Sequence, residues 1–153
     1  MVAASPDLQA IAERVNTGTE NPDTSRALVV FNSTDRPLGG VAVFGASMAW
    51  PRDVPLPPVS ITAADGVTVP SAIREMQQRP EAKGRADRVQ LSFALYFAVS
   101  DVPANGWRTY LASYTNVPAP ALEDFVETPG LSVVETTRHG GDLALAGTLE
   151  PGV

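Results

Sequence analysis

Residues 88–99, Arg-Val-Gln-Leu-Ser-Phe-Ala-Leu-Tyr-Phe-Ala-Val, alternate between two chemical characters without a slip. Val89, Leu91, Phe93, Leu95, Phe97 and Val99 fall in one phase, and Gln90, Ser92, Ala94, Tyr96 and Ala98 fall in the other. Successive side chains of a strand point to opposite faces, so the pattern predicts one long strand with a strongly apolar face. A second layer has to cover such a face, which commits the chain to a layered β architecture.

A chain of 153 residues is long enough for one domain with its own core. The 12 glycines and 14 prolines suit a fold in which turns interrupt many short strands. A net charge of -6 argues against nucleic-acid and anionic-membrane partners, both of which need a basic surface. No apolar run approaches the roughly 18–20 residues that span a bilayer. The opening residues carry neither a basic nor an apolar leader region, so no signal peptide is expected and the cytoplasm is the favoured compartment. The absence of cysteine removes disulfides, thiolate catalysis and cysteine metal sites together.

The residue pattern divides the chain into an N-terminal helix with a polar linker, residues 1–25, and a β-sandwich domain, residues 26–153. Ser5 is placed to cap the helix, Pro6 suits its first position, and Leu8, Ile11, Ala12 and Val15 form a stripe at helical spacing. From residue 27 the signals are those of strands. Residues 27–32 form an apolar run that predicts burial on both faces or a seat near the core. Residues 39–44 open a second strand, while 49–58, with four prolines around Trp50, read as an extended loop. Residues 59–62 and 67–69 flank Ala64-Asp65-Gly66 as a hairpin, and 72–76 continue as a strand before a charged loop over 77–87. The long strand turns through Asn105-Gly106 into 107–114, with Trp107 expected to be buried opposite it. Residues 131–137 and 143–149 are expected to pair with one another across 138–142. The fold class is therefore all-β, an antiparallel sandwich, immunoglobulin-like or related, preceded by one helix.

Several of these landmarks, taken in order, resemble family 38 glycoside hydrolases, the retaining, metal-dependent α-mannosidases. The helix over 8–16 followed by Arg26-Ala-Leu-Val-Val-Phe-Asn32 is similar to the passage from that family's helical bundle into its first β-domain, where a V-F-N-P strand end recurs. Ser60-Ile-Thr-Ala-Ala-Asp-Gly66 with Val69-Pro70 resembles the family's D-x-x-G-x-x-V-P-x-Q hairpin. Val89-Gln-Leu-Ser-Phe93 and Asp101-Val-Pro-Ala-Asn-Gly-Trp-Arg-Thr-Tyr110 look like F-x-A-x-V-P-x-x-G-Y-x-T-Y. The match covers residues 8–114, with Ser33 in place of the usual proline, Ser71 in place of glutamine and Trp107 in place of tyrosine. The resemblance implies a β-sandwich domain whose partner is the catalytic or helical domain of a parent glycoside hydrolase. The family's zinc ligands and nucleophilic aspartate lie in a catalytic domain with no counterpart here, so no catalytic residue carries over. No cofactor is expected in this chain; zinc or another divalent metal belongs to a family-type catalytic domain.

The residues themselves offer little chemistry. One histidine and no cysteine make a poor zinc set, and His139 with Glu135 and Asp142 reads as a solvated turn. No G-x-S-x-G elbow accompanies His139. Glu123, Asp124 and Glu127 cluster in sequence as a solvated acidic stretch does, and adjacency in sequence says nothing about the facing geometry that a glycosidase pair needs. Asn105-Gly106 and Gly140-Gly141 read as turns, and the Asn32-Ser33-Thr34 sequon as a strand-end turn. The aromatic residues Trp50, Tyr110 and Tyr114 are the candidates for carbohydrate contact. The expected role is a non-catalytic accessory domain; the alternatives are a carbohydrate-binding module and an immunoglobulin-like protein-interaction domain.

Overall fold

The alternating stretch becomes the spine of the smaller of two antiparallel sheets in the computed structural model, which describes residues 12, 25–54, 59–63, 66–80, 88–114, 120–136 and 146–148. Among the described residues nine strands follow in chain order: β1 (Ser25–Asn32), β2 (Leu38–Pro51), β3 (Val59–Ala63), β4 (Thr68–Val69), β5 (Ser71–Pro80), β6 (Arg88–Val102), β7 (Gly106–Tyr114), β8 (Leu131–Thr136) and β9 (Ala146–Thr148). The smaller sheet has the order β2-β6-β5. The larger runs β4-β3-β7-β1-β8, and β9 shares with β3 the edge of β7 that β1 leaves free.

The two sheets close on one apolar interior. Leu91, Phe93, Leu95, Phe97 and Val99 of β6 meet Leu28 and Val30 of β1, Ile61 of β3, Tyr110 of β7 and Leu131 of β8. Each large side chain buried in this way stabilises the fold by about 2 kcal/mol. Tyr110 lies against Phe97, ring centroids 5.6 Å apart, and its hydroxyl accepts the Ser100 N–H at 3.2 Å. The phase of β6 changes once. Val99 pairs with Gly40 and Val102 with Leu38, so β6 carries one extra residue there, and Asp101 takes a left-handed φ of 53°. This bulge turns Val102, an even-numbered residue, into the core that the odd-numbered residues have filled.

β1 is buried on both faces, as its apolar run predicts: Ala27 to Phe31 are all at most 3% exposed. Its polar end is equally enclosed. Asn32 is 1% exposed; its Nδ2 donates to the carbonyls of Arg36 (2.7 Å) and Val102 (3.1 Å), and its Oδ1 accepts from Thr34 N (2.9 Å) and Thr34 Oγ1 (2.6 Å). A buried amide with four partners is fully satisfied and ties the end of β1 to the end of β6.

The 59–69 hairpin forms as predicted, with Ile61 opposite Val69 and Thr62 opposite Thr68. Four expectations are corrected. β2 runs on to Pro51, so Trp50 sits in a strand opposite Val89 and not in a loop; β2 is an edge strand, where the missing proline N–H is tolerated. β5 continues through Gln77 to Pro80, because an exposed outer strand forms without apolar alternation when its neighbour supplies the hydrogen bonds. β8 and β9 pair not with each other but with β1 and β7: Gly130 accepts the Ser33 N–H at 3.0 Å and so delivers β8 to the free edge of β1. Trp107 is buried, but in the phase opposite to Tyr110, against Gly147 and away from β6. The helix expected over 5–16 lies outside the described residues except for Ala12, which is buried.

Candidate functional site

The three aromatic candidates do not share a sheet. Trp50 is the penultimate residue of β2 in the smaller sheet, whereas Tyr110 and Tyr114 belong to β7 in the larger. Trp50 is half-buried against the core, and its Nε1 donates to the Val54 carbonyl at 2.8 Å, closing the turn in which Asp53 has a φ of 64°. Tyr110 is 1% exposed, so its ring faces protein and not solvent. Tyr114 ends β7 opposite Val59.

The remaining sequence candidates fall into structural roles or outside the described residues. His139, Asp142 and Gly140-Gly141 lie outside them. Asn105 adopts a φ of 48° and its N–H donates to Thr34 O at 2.9 Å, which is turn chemistry. The sequon asparagine, Asn32, spends both amide hydrogens inside the fold, so its nitrogen is not offered to a glycan. Among the described residues no three His, Cys, Asp or Glu side chains gather as a metal-binding group.

Glu123, Asp124 and Glu127 are exposed on a segment that crosses the smaller sheet from one edge to the other. At one end Ser71 of β5 donates to Pro120 O at 3.2 Å and bridges Ala121. At the other, Thr128 exchanges hydrogen bonds with Val41 of β2: Thr128 N donates to Val41 O at 2.9 Å, and Val41 N donates to Thr128 Oγ1 at 2.9 Å. Between them Phe125 sits edge-on to Tyr96, centroids 5.8 Å apart, with the Arg74 guanidinium 4.2 Å from its ring centre. Tyr96 faces away from the core, so this strap covers the outer side of the sheet. The acidic residues decorate the strap, and Asp124 Oδ1 accepts the Val126 N–H at 3.0 Å within it.

Beside the strap the same outer face is uncovered among the described residues. The rows Gly45–Ala94–Arg74 and Ser47–Ser92–Gln77 cross the three strands in register. β5 bulges between Arg74 and Gln77, with Glu75 at a φ of 59°, and the exposed surface there forms a shallow depression that is widely open to solvent. Gly45, Glu75, Met76, Gln77, Ser92 and Ala94 line it. The residue pattern carried two faint signs of this place: a glycine inside a strand and the loss of alternation after Ile73. Neither distinguishes a depression from an ordinary exposed strand.

No family model matches the chain, and no curated protein matches it. Solved structures do. A protein in the glycosyl hydrolase family 38 from Enterococcus faecalis aligns with a TM-score of 0.56 and 13% identity, over 77% of this chain and 16% of its own. An α-mannosidase from Enterococcus faecalis V583 aligns with a TM-score of 0.55 and 15% identity, over 77% of this chain and 15% of its own. The chain thus spans about a sixth of the length of these neighbours. The two-sheet body described above is, in fold, similar to a domain-sized portion of family 38 α-mannosidases.

Proposed function

We propose that the chain is a non-catalytic, supporting β-sandwich domain of, or derived from, an α-mannosidase-like glycoside hydrolase. The observation that carries this reading is the agreement between ordered sequence landmarks and fold likeness: most of this chain aligns with only a small share of each large neighbour. The reading assigns it the catalytic or helical domain of the parent enzyme as partner, and no cofactor of its own. The packing favours support over chemistry, because the buried polar group of Asn32 is consumed in tying sheets together. Carbohydrate contact through Trp50, Tyr110 and Tyr114 would require Tyr110 to leave the core.

The purified chain is expected not to cleave 4-nitrophenyl α-mannoside, with or without added zinc. Turnover that survives repurification and vanishes with a point mutation in this chain would overturn the proposal.

A further inference from the structure

We propose that the outer edge of β2 is a self-association surface, along which two copies of this chain pair antiparallel about Ala46 and join their smaller sheets. The fold protects its other edges. β4 and β9 are two and three residues long, and β8 is six residues long with Glu135 near its end. β5 carries Arg74, Glu75, Arg79, a bulge and Pro80. Short length, charge, bulges and proline are the devices that keep a strand edge from pairing with another chain. β2 has fourteen residues, no charged side chain, and a proline only at its last position. Its register with β6 is unbroken from Gly40 to Pro51, and beyond it no strand lies among the described residues.

The hydrogen bonds already made show which groups of that edge remain. Val41 turns both its N–H and its C=O away from β6, toward Thr128. Outward-directed residues recur at every second position of an antiparallel strand, so Val43, Gly45, Ser47 and Ala49 direct theirs the same way. At Pro51 the series stops: proline has no N–H, and its carbonyl accepts the Val54 N–H at 3.4 Å. Between these stops no backbone bond leaves the outer edge of β2 among the described residues, and Gly45 and Ser47 are exposed.

The free stretch is symmetric. Position 41, filled by Thr128, and position 51, closed by proline, lie equally far from Ala46. A two-fold axis at Ala46 sets Val43 opposite Ala49 and Gly45 opposite Ser47 of a second copy, so every outward donor meets an outward acceptor. An axis one residue away sets Ala49 against the filled position 41, or Val43 against Pro51, and wastes a pair. Self-pairing requires this symmetry of the stops, whereas an unrelated extended peptide does not. A Cβ built on Gly45 meets nothing within 4 Å, so packing inside the fold does not call for glycine there; close approach of another backbone does. Each copy carries a net charge of -6, and at this uncharged edge two copies meet without setting like charges opposite one another. The pairing spans only Val43 to Ala49 and buries less than the roughly 1,200 Å² of a stable interface, so the dimer is weak and reversible.

The inference goes beyond the supporting-domain proposal and does not depend on it. The test is sedimentation velocity of the full chain from about 10 to 1,000 µM, the range in which a weak dimer forms. The expected result is a monomer that converts to a dimer, and to nothing larger, as concentration rises. Ser47→Pro removes an outward N–H without touching the β6 ladder, and is expected to stay monomeric with an unchanged far-UV circular dichroism spectrum. The chain has no cysteine, so cross-linking reads the register directly. Gly45→Cys and Ser47→Cys variants are mixed in equal amounts and oxidised. Directly opposed residues bring their Cα atoms to about 5.5 Å, within disulfide reach, so the mixed 45–47 dimer is expected to exceed either like dimer at least about fivefold. This arm decides the matter should Ser47→Pro fail to fold. A wild-type chain monomeric across the range, assembly beyond a dimer, a folded Ser47→Pro variant that still dimerises, or disulfides in statistical proportion would overturn the proposal.

Discussion

Thr128 stands where a side chain on Gly40 would have to go. From there its hydroxyl accepts the Val41 N–H at 2.9 Å, and the φ of 147° at Gly40 suits no other residue well. The strap is therefore keyed into the edge of β2 and does not merely rest on it.

Gly40→Ala tests that key. The added methyl collides with Thr128 and demands an unfavourable φ, so the variant should lose about 2 kcal/mol or more of stability in urea unfolding. An unchanged midpoint would mean that the strap is not seated as described.

Asn32→Asp removes both amide donors and turns a carboxylate toward the carbonyls of Arg36 and Val102. The expected loss is about 3 kcal/mol, read as a lower denaturation midpoint with an unchanged m-value. Expression through a secretory pathway should leave the wild-type sequon without a glycan, as judged by mass spectrometry.

Thr109 carries a buried hydroxyl with no hydrogen-bond partner among the described residues. Thr109→Val keeps the shape and discards the unsatisfied group, so calorimetry should show a gain of about 1 kcal/mol. A loss of stability would indicate that an ordered water serves the hydroxyl.

Arg74 and Phe125 should be energetically coupled, because the guanidinium lies 4.2 Å from the ring centre. A double-mutant cycle with Arg74→Ala and Phe125→Leu is expected to give about 0.5–1 kcal/mol of interaction energy. Strict additivity of the two losses would exclude it.

What was legible in the residues was whatever alternation and burial dictate. The odd-numbered residues from Val89 to Val99 point inward because nothing polar interrupts them, and residues 27–31 are enclosed because none of their side chains prefers water. Partner choice was not legible. Residues 131–136 and 146–148 have strand character, but their pairing with β1 and β7 depends on edges that exist only once the sheets are assembled. Gln77 to Pro80 escaped recognition because a strand exposed on its outer face needs no apolar signature. The aromatic candidates failed to converge for a related reason: Tyr110 and Trp50 carry the same outward signs in core and in contact surface. The shallow depression was least visible of all, being made by register across three strands and one extra residue in β5.

The enclosure of β1, between β7 and β8 in its own sheet and with no side chain from Ala27 to Phe31 reaching solvent, also sets a kinetic order. Its amide hydrogens have no route to deuterium short of opening the whole molecule, so they should be the last to exchange and should report the global unfolding free energy.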